Sequence, residues 1–240
     1  CYAMAENVFA VTQDGIDKAV TYDEIDQETF QKDKVARKAF DQRPSVFHVS
    51  AGRPIANTQV RIIDADGNEL PDRHVGEIVI KSNCMLTGYY HREDATVSSF
   101  TEGWFKTGDL GYLAEGELYV SGRKKDLIIV GGKNVYPQDI EAVVNEVGGV
   151  HPGRCVAFGV FNEEKGTEDV VVIAELETDH VDKERLVAEQ IRKMVTQSTA
   201  VALRQVYLVN DFWLIKTSSG KIARAANKDK YLSETGNHAG

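Results

Sequence analysis

GRKKDLIIVGGKNVYPQDIE, residues 122–141, is the stretch of sequence that decides the fold. Its apolar run at 127–130, flanked by charges, predicts a strand, and Gly131-Gly132 then breaks the run. Pro137 is placed to start a helix, with acidic residues near the positive end of that helix. A strand, a glycine loop and a helix in this order indicate a small α/β domain that begins at a basic joint.

The sequence after this stretch predicts further elements of the same domain. Strands are predicted at 154–161, 169–176 and 205–209, and an amphipathic helix at 182–198. The helix carries an apolar stripe that we assign to core packing, formed by Leu186, Val187, Ile191, Met194 and Val195. The order β-α-β-β-α-β describes a compact two-layer α/β unit.

The sequence before the stretch has a different pattern. Residues 46–82 predict several short β-strands, residues 91–100 a short helix, and Glu115-Gly116-Glu117 a hairpin turn. Residues 14–45 are polar and charged, which predicts a surface insertion or mobile loop. The predicted fold class is therefore α+β, a short-strand β subdomain followed by a small two-layer α/β domain.

Bulk properties limit the classes of function. The 240 residues suffice for one large or two modest domains, with 27% charged and 42% hydrophobic residues. Because the net charge is -9 and no basic stripe is evident, nucleic-acid binding is not expected. The cysteines and histidines are scattered, which favours buried thiols in a reducing, cytoplasmic compartment over disulfides or a zinc site. No apolar run reaches membrane-spanning length, and the start at Cys1 suggests a fragment.

Three charged residues stand out, each with an ordinary alternative. Asp109, in a predicted tight turn, either accepts two hydrogen bonds from a vicinal diol such as ribose or is a plain turn residue. Lys221 lies on a predicted mobile loop of small hydroxyl residues and glycine, where it either binds phosphate and carboxylate oxygens or is simply solvated. Glu6, in an apolar run, is either a binding group or a loop residue. The GxxxxGK[ST] spacing of a P-loop is absent.

Five motifs occur in one order along the chain. They are YAMAE at 2–6, GEIVIKSNCMLTGYY at 76–90, KTGDL at 106–110, the stretch at 122–141, and KTSSGKIAR at 216–224. Together they resemble the C-terminal half of the adenylate-forming (AMP-binding) enzymes, which include acyl-CoA synthetases, fatty acyl-AMP ligases, peptide-synthetase adenylation domains and luciferases. The resemblance covers nearly the whole chain, except the insertion at 14–45.

Within that family, details lean toward the fatty acyl-AMP ligases. The YPQDIE run at 136–141 looks like theirs, as do the insertion at 14–45 and Ala5, where many relatives carry threonine. Two positions depart from the family pattern. Ala3 replaces a usual glycine, and Ile215 stands where proline often precedes the lysine-threonine-serine run. Neither departure removes a charged functional group.

The resemblance implies a remnant of the large ATP-binding domain at 1–122 and a small mobile domain at 123–240. It also implies a role for individual residues: catalysis by Lys221, nucleotide binding by Tyr2, Asp109 and Arg123, a hinge at Lys125, a thiol-arm loop at Gly131 and Gly132, and magnesium binding by Glu6.

The implied reaction converts a carboxylic acid, in particular a fatty acid, and ATP into an acyl-adenylate. The acyl group then passes to the thiol of coenzyme A or of the phosphopantetheine of an acyl carrier protein. ATP and Mg²⁺ are the implied cofactors. One alternative is a non-catalytic module of the same fold that docks a carrier protein, and another is a luciferase-like oxygenase. The presence of both Asp109 and Lys221 favours the enzyme, because a docking module needs neither.

The resemblance also places the family's phosphate loop, and much of the fatty-acid pocket, upstream of residue 1. One preorganised group contributes about 3–4 kcal/mol to transition-state stabilisation, and Lys221 without those surroundings lacks the pre-positioning that makes this usable. We therefore predict that the 240-residue chain alone shows no ATP–pyrophosphate exchange with any fatty acid. Robust exchange by this chain would contradict the prediction.

Overall fold

The computed structural model describes residues 1–15, 17–40, 43–177 and 183–236. The chain divides into two compact units, Cys1–Lys125 and Asp126–Gly240. Among the described residues, no helix is long and apolar enough to cross a membrane.

The first unit is built mainly of short antiparallel strands. Its elements are β1 (Tyr2–Ala3), β2 (Ala10–Gln13), β3 (Tyr22–Asp26), α1 (Gln27–Lys32), β4 (Ser45–Val49), β5 (Arg53–Pro54), β6 (Thr58–Ile63), β7 (Gly76–Ser82), α2 (Glu93–Ser98), β8 (Phe100–Thr101), β9 (Trp104–Ala114) and β10 (Glu117–Arg123). The largest sheet has the order β10-β9-β7-β6, with β8 paired to β9. A second sheet has the order β1-β2-β5, and β3 pairs with β4.

Antiparallel pairing and an apolar cluster stabilise this unit. The cluster is formed by Val11, Ile62, Ile78, Ile80, Phe105 and Leu118. The predicted hairpin turn is confirmed, because Ala114 of β9 pairs with Glu117 of β10. Glu115 and Gly116 between them have φ values of 56° and 79°, the left-handed conformation that a two-residue hairpin loop requires.

The prediction of a surface insertion or mobile loop at 14–45 is wrong for much of that segment. It contains β3 and α1, and both Ile25 and Phe30 are buried there. The Asp26 side chain accepts a hydrogen bond from the Thr29 amide at 2.9 Å and so caps α1. The buried apolar residues of this segment, Ile25, Phe30 and Ala36, are few and irregularly spaced, so no period of 2 or 3.6 revealed them.

The second unit is an α/β sandwich. Its elements are β11 (Ile128–Val130), β12 (Lys133–Val135), α3 (Pro137–Asn145), β13 (Val150–Asn162), β14 (Thr167–Leu176), α4 (Glu184–Thr199), β15 (Leu203–Val209) and α5 (Arg224–Thr235). Strands β13 and β14 are antiparallel, and β14 and β15 are parallel. The α4 helix makes the crossover that a parallel pair needs.

Alternation along the central strand β14 separates two cores. Val172 and Ala174 face the core that contains Ile140 of α3 and Ile191 of α4. Their neighbours, among them Ile173, face the second core. Helix α5 adds Tyr231 and Leu232 to this core, and Trp213, which follows β15, packs against it. Because successive side chains of a strand point to opposite faces, an unbroken run of valines supplies both cores.

Two local predictions for this unit need correction. Gly131-Gly132 forms the turn of a hairpin between β11 and β12, and β12 was not predicted. Leu186 was assigned to the core stripe of α4, but it is 64% exposed, whereas Val187 and Ile191 are buried. At about 100° per residue, Val187, Ile191, Met194 and Val195 fall within an arc of about 100° around the helix, and Leu186 lies about 80° outside that arc.

Buried His48 makes the unfolding free energy depend on pH. Burial lowers the pKa of its imidazole from 6.5 to about 4, although the negative charge of Asp23 acts to raise it. Between pH 6.5 and about pH 4, the imidazole is therefore protonated in the unfolded chain but neutral in the folded chain. The free energy of unfolding accordingly decreases as the pH falls through this range. We expect His48 to account for a loss approaching about 3 kcal/mol.

Urea denaturation between pH 7 and pH 4 tests this expectation. His48→Leu should lose stability with falling pH less steeply than the unsubstituted chain. Phe30→Leu, which alters the same cluster because the two rings lie 4.8 Å apart and keeps the imidazole, is the matched control. An equally steep loss in His48→Leu and the unsubstituted chain would show that another group carries the pH dependence.

Candidate functional site

Three of the predicted site residues meet in the first unit. The Tyr2 hydroxyl donates to Oδ2 of Asp109 at 2.6 Å. Nε of Arg123 lies 3.2 Å from Oδ1 of the same carboxylate. The Asp109 side chain is 13% exposed and that of Arg123 is 61% exposed. The carboxylate is thus held from two sides at the edge of the unit, with the guanidinium facing solvent.

The Asp109 carboxylate lies where strand β9 pairs irregularly with its neighbours. The prediction of a tight turn is wrong, because Asp109 lies inside the strand, where it pairs with Arg123 of β10. On the other side of β9, the register with β7 shifts across this region. Gly108, with φ of 72°, supplies a backbone conformation at this irregularity that other residues rarely adopt. The Thr107 hydroxyl accepts a hydrogen bond from the Asp109 amide at 3.1 Å and so braces the shift.

The geometry of this cluster leaves spare acceptor sites on the Asp109 carboxylate. Burial, and then the hydrogen bond to Asp109, raise the pKa of Tyr2, so its hydroxyl stays protonated and donates. A carboxylate offers about four lone-pair sites, and the contacts from Tyr2 and Arg123 leave acceptor capacity on both oxygens. An open cleft of about 350 Å³ beside the cluster is lined by Thr107, Gly108, Arg123, Lys124 and Lys125.

Glu6 lies in a short 3-10 turn, Ala5–Asn7, between β1 and β2. Its Oε1 accepts a hydrogen bond from the Tyr89 hydroxyl at 3.2 Å. Burial, and then the charge of Glu6, raise the pKa of Tyr89. Within the described residues, no group of three or more histidine, cysteine and acidic side chains is arranged to hold a metal ion. Glu6 is therefore a single half-buried carboxylate rather than part of a protein-only metal cage.

Lys221 belongs to the second unit and lies on a hydrogen-bonded hairpin. Lys216 and Ile222 form an antiparallel bridge. The Thr217 amide donates to the Lys221 carbonyl at 2.8 Å, and the Gly220 amide donates to the Thr217 carbonyl at 2.9 Å. Gly220 has φ of 82°, which suits the turn. The Lys221 side chain is exposed, and within the described part of the chain its ammonium has no carboxylate partner.

Arg224, at the start of α5, anchors the segment that follows Lys221. Its guanidinium donates to both carboxylate oxygens of Glu141 at 2.8 and 2.9 Å and to Asp126 at 2.5 Å. Its Nε donates to the Ala157 carbonyl at 3.0 Å. The Arg224 side chain is 21% exposed, so these are largely buried charge-assisted bonds. α5 is thereby tied to α3, β13 and the first residue of the second unit.

The Gly131-Gly132 turn is braced by the β13–β14 hairpin. The Thr167 hydroxyl accepts from the Gly131 amide at 2.8 Å, and the Glu168 carboxylate accepts from the Ile129 amide at 2.6 Å. An open groove of about 510 Å³ lies along this edge. It is lined by Ile129, Gly131, Gly132, Phe161, Lys165, Gly166, Thr167 and Glu168.

The chain is similar to known proteins along nearly its whole length. Residues 1–90 match the family model of the AMP-binding enzymes. The chain is 31% identical over 238 residues to a putative acyl-CoA synthetase of Caulobacter vibrioides. It is 30% identical over 270 residues to the long-chain-fatty-acid--AMP ligase FadD32 of Mycobacterium marinum. These alignments take in 98% and 96% of this chain but only 41% and 43% of the two relatives.

A solved structure extends the similarity to the fold. A chain from a study of fatty acyl-adenylate ligases from E. coli and L. pneumophila matches with a TM-score of 0.87 at 28% identity, covering 99% of this chain and 42% of that one. This chain is a homologue of the AMP-binding enzymes. The resemblance predicted from the five motifs and the α+β fold class are confirmed.

The structure brings together Tyr2, Asp109 and Arg123, and it leaves Lys125 exposed at the end of the first unit. Lys221 and the Gly131-Gly132 turn belong to the second unit. Sequence reasoning missed the partners that hold these residues: Thr107, Tyr89, Glu141, Thr167 and Arg224. Arg224 lies inside the KTSSGKIAR motif and Glu141 ends YPQDIE, so the motifs themselves contained that signal.

The Arg224 ion pairs predict a selective loss of stability. Glu141→Gln removes the charge that pairs with a largely buried guanidinium, so we expect unfolding to become easier by about 1–3 kcal/mol. Glu146→Gln, on the exposed residue that ends the same helix, is the control and should stay within about 0.5 kcal/mol. Chemical denaturation at pH 7 measures both, and equal stabilities of the two variants would contradict the prediction.

Proposed function

We propose that the enzyme containing this chain activates a carboxylic acid, specifically a fatty acid, with ATP to form an acyl-adenylate. It then passes the acyl group to a thiol. The observation that carries this proposal is the Asp109 carboxylate, gripped by Tyr2 and Arg123 yet retaining acceptor sites. The two relatives, described as a putative acyl-CoA synthetase and a long-chain-fatty-acid--AMP ligase, support the choice of reaction.

The nucleotide is held by the cluster in the first unit. The vicinal hydroxyls of the ribose donate to the free acceptor sites of Asp109. Tyr2 lies against the adenine, and its bond to Asp109 keeps both groups in place. Arg123 is solvent-facing and always charged, so it supplies a fork of donors to the nucleotide's oxygens without losing its contact to Asp109.

Lys221 carries the electrostatic part of adenylation. When the carboxylate oxygen attacks the α-phosphorus, negative charge accumulates on phosphate oxygens, and a positioned ammonium offsets it. Lys221 has no carboxylate partner among the described residues, so its charge is free for the acid and the phosphate. In this proposal it contacts both during adenylation.

Glu6 fits a magnesium site completed by the substrate. Mg²⁺ in nucleotide enzymes is held by one or two carboxylates, with phosphate oxygens and water completing its octahedral shell. Glu6 is one such carboxylate, and Tyr89 occupies one of its oxygens while steadying its orientation. When bound, the ion would neutralise phosphate charge, and Glu6 would orient it.

A hinge at Lys125 separates two catalytic poses. We place a remnant of the large domain at 1–122 and a small mobile domain at 123–240, so that a few dihedral angles near Lys125 absorb the rotation. One pose presents Lys221 for adenylation. The other presents the Gly131-Gly132 turn to the pantetheine arm of coenzyme A or of a carrier protein. The groove beside that turn, which contains the apolar side chains of Ile129 and Phe161, suits such an arm.

The decisive experiment uses the complete gene product that contains this chain. ATP–pyrophosphate exchange is measured with a panel of fatty acids, and coenzyme A and acyl carrier protein are then added separately. We predict acid-dependent exchange that falls about 10²- to 10³-fold in Lys221→Ala, the loss expected for one preorganised charge. Lys228→Ala, a lysine on the neighbouring helix, is the matched control and should retain exchange.

Each result of this experiment has one meaning. The thiol that yields a thioester distinguishes an acyl-CoA synthetase from a fatty acyl-AMP ligase. Exchange that survives in Lys221→Ala would refute the role of that lysine. An absence of exchange with every acid, together with carrier-protein binding, would replace the enzyme by a docking module.

A further inference from the structure

The base of the Lys221 hairpin is closed by one buried side chain. Asn227 of α5 is 0% exposed. Its Oδ1 accepts from the Ile215 amide at 2.8 Å. Its Nδ2 donates to the Ile215 carbonyl and to the Ala223 carbonyl, both at 2.9 Å. Ile215 and Ala223 immediately flank the hairpin, residues 216–222, on its two sides.

These contacts make Asn227 a bridge between the two ends of the hairpin. The Ala223 amide also donates to the Ile215 carbonyl at 3.0 Å, so backbone and side chain close the same gap. The side-chain oxygen of Asn227 accepts one hydrogen bond, and its amino group donates two. Because a buried amide without partners is costly, the two ends cannot separate while Asn227 remains buried.

Asn227 is itself fixed to the rest of the second unit. It lies on α5, which begins at Arg224 with its ion pairs to Glu141 and Asp126. One turn after Asn227, the fully buried Tyr231 packs on Phe158, with ring centroids 5.6 Å apart. The helix is therefore anchored on both sides of Asn227, which transmits that fixed position to the hairpin.

We propose that Asn227 is a positioning residue that sets where Lys221 presents its ammonium. This inference rests on the proposed function, in which Lys221 contacts the reacting groups. A lysine is a point charge on a flexible four-carbon stem, so its placement depends on how firmly the backbone at its root is held. A displacement of about 1 Å in a catalytic group can cost on the order of 10²-fold in rate.

The first test measures the hairpin directly, in the complete enzyme. Asn227→Leu keeps a similar volume and removes all three hydrogen bonds. Asn227→Asp keeps the acceptor for the Ile215 amide and loses both donors. We expect hydrogen exchange of residues 215–223 to accelerate about 10- to 100-fold in Asn227→Leu, and at least as much in Asn227→Asp, whose carboxylate would be buried against two carbonyl oxygens. Tyr231→Phe, which removes the bond from the same helix to Gln205, is the control and should leave this segment protected.

The second test separates positioning from general stability. We expect Asn227→Leu to lower the turnover of adenylation about 10- to 100-fold. Thioester formation from supplied acyl-adenylate, which does not use Lys221 in this scheme, should stay within about threefold. Tyr231→Phe should preserve both half-reactions.

Three results would overturn the inference. They are unchanged protection of residues 215–223, faster exchange there with unaltered adenylation, and an equal fall of both half-reactions. A complete enzyme without acid-dependent pyrophosphate exchange in its unsubstituted form would instead overturn the proposed function, whatever the variants show.

Discussion

The paired guanidinium of Arg224 is the interaction on which the second unit depends. A largely buried positive charge must be matched, because a buried charge left without its partner is destabilising. Arg224 meets this demand with Glu141 of α3 and Asp126, and it also binds the Ala157 carbonyl of β13. Its planar fork of donors can serve all three at once, which lysine could not. One side chain therefore joins the beginning of the unit, its first helix and its central sheet to the segment that follows Lys221.

The first unit depends on a different constraint. Strand β9 must pair with a neighbour on each edge while the Asp109 carboxylate remains accessible. A regular strand would keep the neighbours of Asp109 in register with β7 and β10. The structure instead shifts both registers, with Gly108 and Gly122 at the irregular positions. Lys124 then binds Glu77 of β7 at 2.7 Å, which secures the chain just after β10. The cluster at Asp109 thus results from the sheet's irregularity, not from a turn.

Residues 14–45 show how tertiary contacts give structure to a polar segment. Asp23 lies under Arg73, which donates to it at 2.9 Å, and the Tyr112 hydroxyl donates to the same oxygen at 3.1 Å. Arg73 lies 50 residues after Asp23 in the chain. The residues around Asp23 are polar and charged, so the local sequence does not indicate that this carboxylate is paired. Once that pair forms, β3 can place Ile25 in the core. Nothing within the segment itself signals these partners.

The sequence alone was enough to recognise the family and most of the regular elements. The valine-rich strands, the Pro137 helix start and the glycine-marked turns are local signals, because propensity and periodicity act over a few residues. Tyr2 and Asp109, 107 residues apart, could be linked only through a known family's motifs, and their direct hydrogen bond is visible only in the structure.

Other features depended on contacts between distant residues. The bulge under Asp109, the exposure of Leu186, the burial of His48 and the closure of the Lys221 hairpin by Asn227 all have this origin. Each depends on which surfaces meet after folding. Asn227 is a polar residue in a polar helix, so the sequence does not indicate that it is buried. Only the fold removes it from water and gives it the backbone partners on either side of the hairpin.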